Sequence, residues 1–426
     1  DTNTAMRHCC HGSAMTPEQH ADAEASLCDA GIEWWHRLNP DVAKVSWEAT
    51  DVPLTALRAK KLHIHTIEYT CGTPDPTAPP LVCMHGFGFG AALFYAAIPA
   101  LTERWRGRIF AIDTLGCGLS SRPTWPLPYG HRCNLARGED FFVDAIEAWR
   151  HELKLETMVL LGHSIGGYLA LAYAERHPAR LERLILASPA GVPEPPEGIA
   201  EDHAQAPLSR KLFYALFRRG WSPFIISKDF GLGRDMLTGY ITKRFDDLPW
   251  IPKPELIEYL VGIWCRAPKS AGGHMHAVLL TPGGIPDGSQ GEFVYARLPL
   301  AGRLPALSVP RVSMIYGEYD WMNWRNAADV KAGLQANGGA PQMDVWRVAQ
   351  ATHQQMIDNP RGFADAVLAT GGDTAGIPAG AGFGAQHGAH AKVWVRDKPL
   401  PQDADHITIW ADESASGNTA VEYTSR

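Results

Sequence analysis

The chain has 426 residues, 45% hydrophobic and 20% charged, with 39 basic and 46 acidic side chains and a net charge of −7. That composition excludes collagen-like, coiled-coil and wholly disordered chains. The acidic balance argues against nucleic acid as a partner, because phosphate binding needs a basic footprint.

In chain order, residues 1–60 read as an N-terminal extension, with a helix near 17–38 and Trp34, Trp35 and Trp47 among polar neighbours. Trp34 and Trp35 fit either interfacial anchors or core packing. His8-Cys9-Cys10-His11 has zinc-binding residue types, but adjacent ligands pack poorly around one tetrahedral ion. No metal and no cofactor are expected. The eight cysteines are scattered without a C-x-x-C pair, which suits a reducing compartment and few or no disulfides. No apolar run reaches ~18 residues, so no transmembrane helix is indicated.

From residue 61 the pattern changes. Leu62–Tyr69 alternates as a strand. Short apolar runs then end at glycine-bearing loops: Leu81–Met84 before His85-Gly86-Phe87-Gly88, Ile109–Ile112 before Asp113, and Met158–Leu161 before Gly162. Helical patterns lie between them at Asp140–Leu153 and Tyr168–Arg176, and Leu184–Ala187 is a further strand. Strands alternating with helices predict an α/β fold, a mostly parallel sheet with helices on both faces. Over 192–302 the rhythm gives way to helices and aromatic-rich loops. It resumes with strands Val312–Tyr316 and Val345–Val348 and a helix over Gly362–Leu368. Residues 371–390 hold seven Gly and five Ala, which reads as a flexible segment. Length alone suggests two or three domains. The pattern instead describes one core in two parts, 61–191 and 303–370, split by a helical lid at 192–302, with an extension at 1–60 and a tail at 371–426.

The sharpest motif is Gly162-His163-Ser164-Ile165-Gly166-Gly167, between an apolar strand and a helix. G-x-S-x-G in that setting is a nucleophile elbow, whose tight turn exposes the serine hydroxyl at a helix N-terminus. A serine nucleophile needs a base, and the base needs an orienting acid. In this architecture the chain order is serine, acid, histidine. Asp320, just past the strand that ends in Tyr316-Gly317, is the expected acid, with Glu318 and Asp329 as competitors. His353, past the last strand, is the expected base. Acyl transfer also needs an oxyanion hole. The amide of Ile165 is one expected donor, and that of Phe87 the other, with Gly88 as fallback. His85 is read as bracing its loop. The Gly-rich loop Asp113–Ser120 lacks the lysine of a phosphate loop and is read as shaping the sheet edge beside the site.

Together these residues resemble the α/β-hydrolase superfamily. Gly162–Tyr168, Tyr316-Gly317 with Asp320-Trp321-Met322-Asn323, and His353 followed by Ile357-Asp358-Asn359-Pro360 look like one branch of it, over roughly residues 60–370. That branch contains lipid-droplet regulators, lysophospholipases acting on N-acyl phospholipids and a cardiolipin deacylase. The resemblance implies a serine acyl-ester hydrolase acting on phospholipids or lysophospholipids. Its alternatives are a coenzyme-A-dependent lysophosphatidic acid acyltransferase and a non-catalytic lipid-droplet or membrane adaptor. Animal regulators of the branch carry Asn in place of the serine; here the serine is present. His353 and Asp358 have the His-x4-Asp spacing quoted as an acyltransferase signature. Because His353 is already explained as the triad base, Asp358 is read as a helix cap.

Within the insert, Leu208–Gly220 carries four basic residues and no acid, with Leu208, Leu212, Phe213, Leu216 and Phe217 near helical spacing. An amphipathic helix with basic ends suits an anionic lipid surface; the competing reading is an apolar stripe that only covers the site. The expected partners are a phospholipid or lysophospholipid and a membrane or lipid-droplet surface. The expected location is cytoplasmic and peripherally membrane-associated, with a mitochondrion or other organelle as the alternative. Oligomeric state is not legible.

Overall fold

The computed structural model describes residues 15–57, 61–197, 207–219, 233–246, 248, 250–265, 275, 278–282, 294–336, 338, 341–372, 406–407, 409–411 and 423–424. The His8–His11 cluster, the Gly/Ala-rich stretch 371–390 beyond Gly372, and much of the insert lie outside them.

Helix α1 spans Pro17–Leu38 and opens with a reciprocal cap: Thr16 Oγ1 accepts from the Gln19 N–H, and Gln19 Oε1 accepts from the Thr16 N–H. Such a box satisfies two of the orphan donors of a helix start. Strands β1 (Val45–Pro53), β2 (His63–Cys71) and β3 (Leu81–Met84) follow, then helix α2 (Ile98–Thr102) and strand β4 (Ile109–Ile112). Next come α3 (Leu135–Glu152), β5 (Met158–His163), α4 (Ile165–Arg176) and β6 (Leu181–Ala187). Helices α5 (Leu208–Arg218), α6 (Gly233–Arg244) and α7 (Lys253–Cys265), a small antiparallel pair β7 (Leu280–Pro282) and β8 (Val294–Ala296), and α8 (Leu300–Arg303) form the interruption. The rhythm returns with β9 (Arg311–Gly317), α9 (Trp324–Ala336), β10 (Gln342–Val348), α10 (Gln355–Asp358) and α11 (Pro360–Ala369). Short strands β11 (His406–Ile407), β12 (Ile409–Ala411) and β13 (Tyr423–Thr424) come last.

Among the described residues, nine strands form one sheet in the order β1-β2-β4-β3-β5-β6-β9-β10-β12. The run from β4 to β10 is parallel, and β1, β2 and β12 pair antiparallel. The central strands are apolar on both faces, as a parallel sheet covered on both sides requires. Val82 and Met84 of β3 enter the core under α3 and α4, whereas Leu81 and Cys83 enter the core under α1, α2, α7 and α11.

Two differences from the sequence reading matter. The sheet starts at Val45, inside the stretch read as an extension. Only Val45 and Val52 of β1 are buried, so this edge strand lacks the alternation that identifies a strand. Second, β12 pairs with β10 from within the stretch read as a tail. Trp35 is core: it is buried and donates from Nε1 to Glu103 at 3.0 Å. Trp34 stacks on Trp250 of the insert, with ring centroids 6.5 Å apart. Helix α7 packs against α1, so the interruption is built into one face of the molecule. Among the described residues Cys28, Cys71, Cys83, Cys117 and Cys133 are free thiols. No described helix is long and apolar enough to cross a membrane.

Candidate active site

The parallel strands β3, β4, β5, β6, β9 and β10 point their C-terminal ends toward one edge, and the loops leaving those ends converge there. That is where open parallel sheets place ligands. Ser164 sits between β5 and α4 at φ 56°, ψ −121°. A non-glycine residue in that region is strained and persists only where its surroundings over-determine it. Here the Ser164 N–H donates to the Ala187 carbonyl at 2.9 Å, and its own carbonyl accepts from Gly167, Tyr168 and Ala190. The flanking glycines are required by contact. A Cβ on Gly162 would lie 2.4 Å from the Gly166 carbonyl oxygen, and one on Gly166 would lie 2.4 Å from that of His85.

His353 lies in the loop between β10 and α10. A carboxylate only accepts, so its Nδ1–H donates to Asp320 Oδ1 at 3.1 Å, which leaves Nε2 to accept from the Ser164 hydroxyl at 3.1 Å. Asp320 follows β9. Its Oδ1 also accepts the Met322 N–H at 2.9 Å, and its Oδ2 accepts the Ser188 hydroxyl. The structure thus brings Ser164, His353 and Asp320 together. The competing acids stand elsewhere: Glu318 accepts the Gln350 N–H at 2.8 Å, and Asp329 is exposed on α9.

The two amides expected to hold an oxyanion are placed by backbone. Ile165 is the first residue of α4, so its N–H has no carbonyl within the helix to meet. Gly86 brings the loop after β3 against the elbow: a Cβ there would lie 2.9 Å from Ser164 Cβ and 2.8 Å from His163 Nδ1. Phe87 is the next residue. His85 braces this loop as expected. Its Nδ1–H donates to the Gly86 carbonyl at 2.8 Å, and Nε2 accepts the Thr114 N–H at 3.1 Å. Burial pushes its pKa down, consistent with a neutral ring. From the loop after β4, Asp113 accepts the Ala91 and Leu119 N–H groups, each at 2.6 Å, and so ties the two loops together.

Several further contributors carry no assigned role in the sequence. Gln355 Nε2 donates to the Ser188 hydroxyl and to the Ile315 carbonyl, each at 3.0 Å. It thereby aims the serine that supports Asp320. His163 donates from Nε2 to the His353 carbonyl at 2.8 Å; burial, with the charge of His353 adding to it, holds its pKa well below the usual range. Trp264 of α7 donates from Nε1 to the Gly88 carbonyl at 2.9 Å and meets the Phe87 ring edge-on. Asp358 is not the cap of α11: Asn359 caps it, Oδ1 accepting from the Gly362 N–H at 2.9 Å. Asp358 instead contacts Thr352 and Arg244.

A family profile described as "alpha/beta hydrolase fold" matches residues 79–219. A rice protein named "Probable 1-acylglycerol-3-phosphate O-acyltransferase" is 30% identical over 341 residues, covering 78% of this chain and 74% of that protein. A mouse "(Lyso)-N-acylphosphatidylethanolamine lipase" is 30% identical over 302 residues, covering 67% and 76% respectively. Among solved structures, one described as "a membrane phospholipase A, a novel bacterial virulence factor" matches with a TM-score of 0.55 at 20% identity, covering 84% of this chain and 92% of that one. That likeness bears on the fold alone. Fold, elbow and sequence agree: the chain belongs to the α/β-hydrolase family, in the branch of the (lyso)-N-acylphosphatidylethanolamine lipases and the plant 1-acylglycerol-3-phosphate O-acyltransferases.

Proposed function

We propose that the chain is a serine acyl-ester hydrolase of phospholipids or lysophospholipids, with Ser164 as nucleophile, His353 as base and Asp320 as orienting acid. The observation that carries this reading is the continuous chain of hydrogen bonds from Asp320 through His353 to the Ser164 hydroxyl. Ser164 Oγ bonds to the acyl carbonyl carbon as its proton passes to His353 Nε2. The amides of Ile165 and Phe87 receive the developing oxyanion. The ester C–O bond then breaks, and the leaving lipid hydroxyl takes the proton from His353. Water, deprotonated by the same nitrogen, attacks the acyl-serine; the fatty acid leaves and Ser164 regains its proton. The same acyl-serine accepts a lysophospholipid hydroxyl in place of water, and the name of the rice relative supports that second reading. Ser164→Ala is expected to lower ester turnover by roughly 10⁶-fold and to abolish labelling by a fluorophosphonate probe while leaving the thermal midpoint in place. Retained labelling elsewhere in the chain would move the nucleophile.

The lipid itself is met through α5. Tyr214 and Phe217 face inward, while Leu208 and Leu212 are 83% and 58% exposed beside exposed Lys211. An exposed leucine pair one turn apart with a cation suits an anionic interface. Burying a leucine side chain is worth about 1.5–3 kcal/mol. Leu208→Ser with Leu212→Ser should therefore weaken binding to anionic phospholipid vesicles by about tenfold or more and leave hydrolysis of a short soluble ester unchanged. Equal vesicle binding by the two proteins would place the lipid contact on another face.

A further inference from the structure

Among the described residues, the loop that carries His353 is tied to the insert through Arg244 and Asp358. Asp358, on α10, is fully buried. Its Oδ2 accepts the Thr352 N–H at 2.8 Å and the Thr352 hydroxyl at 2.7 Å. Arg244, the last residue of α6, meets both Asp358 oxygens from Nη2 at 2.8 and 2.7 Å and also donates to the Thr352 hydroxyl. Its guanidinium lies over the Phe245 ring, 4.6 Å from the centroid. Thr352 immediately precedes His353. The Asp358 carboxylate is withheld from water and the Arg244 side chain is 11% exposed, so little solvent competes with the charge-assisted contacts from Nη2.

We propose that Arg244, Asp358 and Thr352 form a latch through which the insert positions the His353 ring against Ser164. All three are positioning residues; none touches the reacting atoms. The inference rests on the proposed role of His353 as the base. The latch fixes the peptide on the N-terminal side of His353, while His163 holds the carbonyl on its other side at 2.8 Å. With both ends of the residue pinned, the ring reaches Asp320 and Ser164 at once. A displacement of about 1 Å at such a site costs on the order of 100-fold in rate. The latch also explains the His-x4-Asp spacing. The carboxylate that orients the His353 ring is Asp320, and the oxygens of Asp358 are taken by Thr352 and Arg244. The spacing places one carboxylate where it can lock the backbone before the histidine, with no proton passing between the two side chains.

The experiment compares wild type with Asp358→Asn, Arg244→Lys and Thr352→Val in the full chain. It measures p-nitrophenyl butyrate hydrolysis, the rate of fluorophosphonate labelling, and acyl transfer from oleoyl-coenzyme A to lysophosphatidic acid. The expected result for Asp358→Asn is a fall in kcat of about 100-fold with KM within about twofold, and a parallel fall in labelling rate. Transfer and hydrolysis, where both are measurable in wild type, fall in the same ratio. Arg244→Lys keeps the charge and one contact and should recover part of the loss. Thr352→Val removes only the hydroxyl link, keeps the fold, and should lower kcat by a smaller factor at unchanged KM. If Asp358→Asn abolishes transfer but labels at the wild-type rate, His353 and Asp358 are a working pair and the latch is wrong. A raised KM with unchanged kcat in Arg244→Lys would make Arg244 a substrate ligand and overturn it equally. A wild-type protein that the probe does not label would defeat the triad reading itself, an outcome distinct from either.

Discussion

Two buried histidines in this molecule are each held from both ring nitrogens, yet they are built for opposite ends. His353 meets one carboxylate, Asp320, and one hydroxyl, Ser164. His65, on β2, meets two carboxylates: Nδ1 bonds Asp51 at 2.8 Å and Nε2 bonds Glu24 of α1 at 2.7 Å. Burial disfavours the His65 imidazolium, but its hydrogen bonds to Asp51 and Glu24, with the charges of Glu24 and Asp113, outweigh that and raise its pKa to about 10. Glu24 is pushed up by its own burial, and His65 pulls it back. A ring that donates from both nitrogens has no lone pair and cannot serve as a base near neutral pH. Replacing one carboxylate by a hydroxyl leaves Nε2 with its lone pair. One substitution of partner separates a structural clasp, which fastens helix α1 to the sheet, from a site fitted for proton transfer.

The sharpest test exchanges what each site loses. Asp320→Asn is expected to lower kcat by roughly 10⁴-fold through loss of the correct tautomer, with the fold intact. A normal rate would move the acid to another carboxylate. At the clasp the cost should fall on stability. Glu24→Gln leaves the buried His65 cation with Asp51, whose side chain is 56% exposed. Removing one member of a buried pair costs roughly 3 kcal/mol, so urea denaturation should shift to lower midpoint while per-molecule esterase activity is kept. Lost activity in the folded variant would show that α1 reaches the site.

The smallest effect is a slope. The folded pKa of His65 lies above its ordinary value of 6.5, so its contribution is fully present below about pH 6.5. It is lost as pH rises toward about 10. Thermal midpoints should decline across that alkaline window, and the decline should be shallower in Glu24→Gln. Identical slopes in the two proteins would remove His65 as the source.

The elbow and the order serine, acid, histidine were legible because they are local. Gly162 and Ser164 answer to backbone sterics within a few residues, Gly166 shares their motif although its constraint is the distant His85 carbonyl, and strands covered on both faces are necessarily continuous apolar runs. Helix α1 was legible as a helical stretch near 17–38, while its Thr16–Gln19 cap came from the structure. The strand β1 was not: an edge strand exposes most of its side chains, so its residues carry no core signal. Ser188 and Gln355 were equally silent. Each is an ordinary polar residue whose meaning depends on a partner far along the chain, 132 residues in the case of Ser188 and Asp320.

Sequence by itself therefore determined the class of fold, the turn that carries Ser164 and the histidine that meets it, and put Asp320 first among three candidate acids. Tertiary structure decided which polar side chains support them, that α1 and β1 belong to the core, and that Asp358 faces Thr352 and Arg244 rather than the histidine ring. The physical reason is range. Backbone strain and two-sided burial act on neighbouring residues and leave a pattern in the chain, whereas a buried hydrogen bond needs only one acceptor in the right place, and nothing in the spacing of residues says which distant segment will supply it.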